Sequence, residues 1–450
     1  MVTKETRQPD GLDMVAVRPA LHPLDRNLIA IPDGILGAYR DALAGRRLAW
    51  TSPAAFTIGS YLGFYGLGLV LSGSSPRLPT MVLAVLLGLT GLLGGIGLGW
   101  NAFSGPTRLR PVDRSLLTRY ALLLLGVGSL ALLAYFLTIG YIPLFQASLE
   151  QSRVAASEEG GAPLRVLSLL ALPGAWILVA QAAVARDRRR LLMAGLAVII
   201  IALAFALTGN RSPAFAAVEV GLIAGLVGVG MGRLGGRGVA LLALIGIVLV
   251  LGAGVFGAFR LASRSGVYGP PVPGERPPPA NYPGLTAVAI KGYMVVPIQN
   301  LGYTMDAVPD RIGWRFGLTY VQPLLTVLPG RQTTFDADLK AALRQQYAGG
   351  GTVTGLLGEA YANFGPVGWF IVPFLAGVAI TALYRVSQSG TPELIALYAY
   401  AIAHVSIGGV LSGLSMASIF PFEAYAVLAF AVIGLPMMGR RFGYSEGAGP

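Results

Sequence analysis

The chain contains no cysteine, which excludes disulfides, thiolate metal sites and a cysteine nucleophile together. It holds only two histidines among its 450 residues, and no dense run of histidine and carboxylate reads as a metal site. No glycine-rich loop ends in Lys-Ser/Thr to cradle the phosphates of a nucleotide, which speaks against ATP-driven work. Charge of either sign is scarce, at 12% of residues. The excess of 33 basic over 21 acidic residues is spread over loop ends, as a topology signal is, and does not argue for nucleic acid.

What the chain has is apolar residues, 54% of the total. Runs of about 18 or more of them recur, as a bilayer-crossing helix requires. Ten spans are expected, at 52–72, 80–99, 119–139, 165–185, 191–208, 213–231, 239–259, 362–384, 391–411 and 419–437. The fold class expected is therefore an all-α polytopic membrane protein. Its parts would be an N-terminal tail (1–51), seven spans (52–259), one large loop (260–361), three spans (362–437) and a short tail (438–450). The polar stretch rich in Arg and Pro ahead of the first span does not resemble a cleavable signal peptide.

Lys and Arg concentrate on the cytoplasmic side of membrane proteins. Arg46 and Arg47, Arg108, Arg110 and Arg114, Arg186 to Arg190, Arg233 and Arg237, Arg385, and Arg440 and Arg441 all fall on one side of the ten-span arrangement. That puts both termini in the cytoplasm and 260–361 outside.

Three exterior segments then carry the available chemistry. The first, 140–164, turns polar through Glu150, Arg153, Glu158 and Glu159. The second is Gly209-Asn210-Arg211-Ser212 followed by Pro213. There Asn210 or Ser212 can cap the next helix and Pro213 suits its first turn. Arg211 is not needed for that turn. It reads either as a solvated arginine or as an anion-binding guanidinium beside a helix N-terminus. The third segment, 260–361, opens with Arg260 and Arg264, four residues apart and hence on one face of a continuing helix, a spacing that can grip a diphosphate. A proline-rich stretch at 270–279 cannot be helical. Residues 281–305 around Lys291 read as an interrupted helix lying on the membrane surface, followed by Asp310 to Tyr320 with Arg315. Arg153, Lys291 and Arg315 join the candidates for binding substrate.

The most informative stretch is Gly349 to Phe370, which sets Glu359 in a glycine-rich approach to a long apolar helix, with Tyr361 and Asn363 beside it. Such a carboxylate either does chemistry or stabilises the helix dipole. Glu219 and His404, inside spans, read first as helix-to-helix hydrogen-bonding groups.

Four local patterns, in order, resemble the oligosaccharide repeat-unit polymerases that extend O-antigen and related glycans, the Wzy-type family. They are Ile142-Pro143-Leu144-Phe145, Gly209-Asn210-Arg211-Ser212, Phe316-Gly317 through Leu328-Pro329, and Gly358-Glu359-Ala360-Tyr361-Ala362-Asn363-Phe364-Gly365, covering roughly 141–370. The long N-terminal tail and the proline-rich insert depart from the pattern. The resemblance implies a GT-C-like fold in a bacterial plasma membrane, and transfer of a glycan from polyprenyl diphosphate to a new lipid-linked repeat unit. It requires neither cofactor nor metal, with membrane lipid and a chain-length regulator protein as further partners. It implies that Arg211, Arg260 and Arg264 hold the diphosphate and that Glu359 acts as base or orients the acceptor. Asn210, Tyr361 and Asn363 would bind substrate. Alternatives of other classes are an O-antigen ligase, expected to carry a histidine that 260–361 lacks, another lipid-linked transferase, and a transporter or flippase of the lipid-linked oligosaccharide.

Overall fold

The computed structural model describes residues 52–73, 76–103, 113–146, 161–230, 250–258, 281–325, 334–345 and 352–414, with positions 152, 155 and 156. Among these residues 84% are helical and none is in a strand. Among the described residues, seven helices are long and apolar enough to cross a membrane: α1 (Pro53–Leu71), α2 (Leu78–Ala102), α3 (Arg114–Ile139), α4 (Ala162–Val184), α5 (Arg188–Leu207), the pair α10 and α11 within Gly355–Ser387, and α12 (Pro392–Leu411). The chain is thus a multi-pass, all-helical membrane protein. The span expected at 213–231 is the shorter helix α6 (Arg211–Gly228). Of the one at 239–259, only 250–258 is described, as helix. The one at 419–437 lies outside the described residues.

Local chemistry explains the helix ends. Ser52 caps α1 ahead of Pro53, Asp113 caps α3 through Ser115 N–H at 2.8 Å, and Asp187 caps α5 through Arg190 N–H at 3.1 Å. Gly140 closes α3 in the left-handed region, at φ 73°, where glycine carries no Cβ penalty.

Small residues let the helices touch. Along α2, Gly91 and Gly95 lie directly on the backbone carbonyls of Phe370 and Phe374 of α11, and Gly377 of α11 lies on Leu92. Between α3 and α4, Gly128 sits on Ala171 and Gly174 on Ala121. This close backbone approach is how helices gain dispersion contact where lipid removes the usual hydrophobic incentive. The outward faces of α3 and α5 show Leu123, Leu130, Leu137, Leu192, Met193 and Leu203 more than half exposed, a surface suited to hydrocarbon rather than water. Inside, Trp176 of α4 stacks on Tyr400 of α12 and donates its indole N–H to Ala217 O of α6 at 3.2 Å.

The stretch expected to be an interrupted surface helix is instead one continuous helix, α7 (Tyr282–Ala307), capped by Asn281 and keeping Pro297 inside it. It packs along α1, where Gly68 lies against Met294 and Ile298, and against α10, where Gly358 lies against Thr304. Packing on both sides holds together a helix whose proline would interrupt it in isolation. Two short helices follow, α8 (Leu318–Leu325) and α9 (Phe335–Ala342). Then come α10 (Gly355–Phe364) and α11 (Gly368–Ser387). They are separated at Gly365, whose φ 64° and ψ −154° belong to a region only glycine occupies readily.

Candidate functional site

Glu359 stands in the second turn of α10 and is 0% exposed. The sequence places it in a loop at the mouth of a span, but the structure puts it inside a helix that is packed on several sides. Leu357 N–H donates to Tyr65 Oη of α1 at 3.3 Å, and Gly88 of α2 lies on Leu357. No acidic residue occupies the first turn of α10, so the carboxylate does not serve as a dipole-stabilising group there.

A chain of hydrogen bonds holds Glu359. Thr319 Oγ1, on α8, donates to Glu359 Oε1 at 2.7 Å. Asn363 Nδ2 donates to Thr319 Oγ1 at 2.7 Å and to Glu359 O at 2.9 Å. Gly317 N–H donates in turn to Asn363 Oδ1 at 2.8 Å. Positive φ angles at Phe316 (48°) and Gly317 (85°) make the sharp turn that brings Thr319 down onto Glu359. On the other side is Gly413, at φ 95°, where an added Cβ would stand 2.7 Å from Glu359 Oε2. Glycine is therefore required there on both conformational and steric grounds.

Three neighbours complete the corner. The Tyr320 hydroxyl is buried beside the Asn363 amide. Burial, then the charge of Glu359, pushes the Tyr320 phenol well above its ordinary range, so it remains a proton donor. Asp336 lies in the first turn of α9, whose Phe335 and Leu339 pack with Val308, Ile312 and Ala362. Burial, and next the charge of Glu359, pushes the Asp336 carboxyl up to about 8. Tyr361 is wedged between aromatic rings, Trp314 at 5.4 Å and Trp369 at 5.4 Å.

The other sequence candidates fare differently. Asn363 is fully buried, with its amide spent on Thr319, Gly317 and the helix backbone, so it locks the site together rather than facing a sugar. Arg315 is taken by Asp338 at 2.7 Å and lies over the Phe335 ring at 5.3 Å. It braces α9 and is not a free guanidinium. Lys291 is exposed on α7. At about 1.5 Å rise per residue it stands about 20 Å along that helix from Thr304, well away from Glu359. Asn210 caps α6 by accepting from Ser212 N–H at 3.4 Å, and Arg211 is the first residue of that helix. Arg153, Arg260 and Arg264 lie outside the described residues. Among the described residues, no group of three or more His, Asp or Glu is arranged to hold a metal.

Sequence reasoning missed Thr319, Tyr320, Asp336 and Gly413. Asp336 follows Thr334, a helix cap, and with Asp338 reads as the ordinary acidic first turn of a short helix. Nothing local distinguishes it. No protein-family model, no curated protein and no solved structure matches the chain.

Proposed function

We propose that the chain is a membrane glycosyltransferase that polymerises polyprenyl-diphosphate-linked oligosaccharide repeat units at the outer face of a bacterial plasma membrane, with a GT-C-like arrangement and both termini in the cytoplasm. The observation that carries the reading is the meeting of two separate motifs on one carboxylate. The turn at Phe316-Gly317 delivers Thr319 onto the carboxylate of Glu359, which the Gly358 to Gly365 motif carries, and Asn363 of that motif ties Thr319 and Gly317 in place. A buried, oriented carboxylate beside a buried phenol is a reasonable place to take a proton from an acceptor hydroxyl.

In the reaction, the acceptor oxygen bonds to the anomeric carbon of the donor while its proton passes to Glu359. The carbon–oxygen bond to the diphosphate breaks, and the diphosphate leaves with the electron pair. Arg211, Arg260 and Arg264 are the cations proposed to meet its charge, as donors aimed at developing charge do elsewhere. Tyr361, half-buried between two tryptophans, is proposed to border the bound sugar.

A carrier of the same lipid-linked substrate is the second reading. It is favoured by Glu219 of α6, whose Oε1 is buried without a hydrogen-bond partner, since an ionisable group within a span is a candidate proton site. One experiment separates the two. Purified protein in liposomes, given the polyprenyl-diphosphate repeat unit without ATP, sugar nucleotide or divalent metal, should produce a ladder of longer glycans. Movement of the lipid across the bilayer with no lengthening would establish the carrier instead.

A further inference from the structure

A pocket that the mechanism above does not use opens where the start of α4, the end of α5 and the start of α6 come together, with Arg165, Leu169, Phe205, Thr208, Asn210 and Pro213 in its wall. Arg165, in the first turn of α4, is half-buried and joins no ion pair among the described residues. A guanidinium stays charged, so one withdrawn from water calls for an anion. No acidic side chain lines the pocket to supply it. Thr208 Oγ1 donates to Phe205 O at 2.7 Å and accepts the Asn210 N–H at 3.3 Å, so its hydrogen is engaged. Asn210 Oδ1 accepts the Ser212 N–H at 3.4 Å, while the two hydrogens of that side-chain amide bond to nothing among the described residues. The side-chain hydrogens on offer are therefore those of Arg165 and Asn210. There is room for about one water-sized group, which fits a single anionic oxygen and excludes a sugar ring.

We propose that this pocket is a phosphate subsite, in which the Arg165 guanidinium and the Asn210 amide hold one oxygen of a phosphate or diphosphate head. The rest of the wall is apolar, and Val166 at its edge is 39% exposed, so the head fits best when it arrives with a hydrocarbon tail. Basic pockets between membrane helices hold lipid phosphates in this way. Arg211, next in the chain to Asn210, is already proposed to meet the diphosphate of the polymerase reaction. Arg165 brings a second helix to the same grip. Naming the head as that polyprenyl diphosphate rests on the polymerase reading, whereas the phosphate pocket does not.

The test is equilibrium binding to the purified full chain in nonionic detergent, with a polyprenyl diphosphate, inorganic pyrophosphate and phosphatidylglycerol as probes and a phosphate-free polyprenol as control. Arg165→Ala should weaken the tightest probe by about 10- to 100-fold, the loss expected for a charge-assisted contact. Arg165→Lys should recover only part of it, since it keeps the charge without the fork. Asn210→Asp separates ligand from fold. It still caps α6, so thermal unfolding should hold, but a carboxylate replaces the donating amide and binding should fall at least as far as in Arg165→Ala. Unchanged binding in Arg165→Ala and Asn210→Asp would overturn the pocket, as would equal affinity for the polyprenol or no binding of any phosphate probe. Given the losses in both variants, the tightest probe names the source: the proposed substrate, a membrane phospholipid or a free phosphate. If polyprenyl diphosphate binding falls in both variants while the wild type makes no ladder, the pocket stands and the polymerase reading fails. A ladder made by all three proteins with binding unchanged keeps the polymerase and removes the pocket.

Discussion

The seam between α2 and α11 and the corner around Glu359 are both buried and lie close to one another, yet they are built in opposite ways. In the seam, Gly91, Gly95 and Gly377 remove side chains so that backbones touch, and the buried Thr381 hydroxyl is satisfied within its own helix by Gly377 O. In the corner, Glu359, Asn363 and Thr319 are each buried, and each depends on another's hydrogen bond. The seam gains dispersion energy with little that can go wrong. The corner meets the cost of burying charge and amide with a closed set of bonds. That contrast separates a seam held by packing from a corner held by hydrogen bonds.

The sharpest way to break the comparison is Glu359→Gln. It keeps volume and an oxygen for Thr319 while removing the proposed base, so the proposed polymerisation should fall by about 100-fold or more. Insertion and thermal unfolding should change little. A Gln variant that makes full-length glycan would remove Glu359 from the mechanism.

Gly95→Leu tests the seam. The new side chain would collide with the Phe374 backbone, where no rotamer can relieve it, and should destabilise by about 1–3 kcal/mol or more. Lowered thermal stability and membrane yield would report the loss. Gly195→Leu on α5, where the added Cβ meets nothing within 4 Å, is the control. Equal behaviour of the two variants would mean that the seam is not close-packed.

The smallest effect is expected at Arg315→Ala. Its pair with Asp338 is partly exposed, at 27% and 29%, and such pairs are worth about 0.2–1 kcal/mol. Polymer length and rate should hold. A loss of activity as deep as that of Glu359→Gln would restore Arg315 as a substrate-binding residue and draw the corner's boundary wider.

Much of the fold was readable because hydropathy is a local property. The spans at 52–72, 80–99 and 119–139 reappear as α1, α2 and α3 within a few residues of their expected ends, and Asn210 caps α6 as the turn chemistry of Gly209 to Pro213 allows. Helix α7 was not readable as one element. Lys291, Asn300, Thr304 and Asp306 dilute its apolar pattern, and Pro297 suggests a break that packing overrides. At the site, Glu359 was conspicuous as a charge among glycines and apolar residues. The uses of Asn363 and Arg315 were not, because an amide or guanidinium looks the same in sequence whether it faces a ligand or its own fold.

By itself, the sequence determined that this is a helical chain made for a membrane, without cysteine chemistry, and that Glu359 is the carboxylate to watch. Apolar run length, residue inventory and glycine spacing are local quantities, and they survive folding unchanged. Only the tertiary structure decided that Thr319 and Gly413 enclose that carboxylate, that Asn363 ties Thr319 to the helix that carries it, and that Arg315 is occupied with Asp338. Those facts depend on the sharp turn at Phe316 and Gly317 and on α8, α9 and α10 packing together. Contacts between residues some twenty to fifty positions apart in the chain are set by that packing, and no pattern along the sequence encodes them.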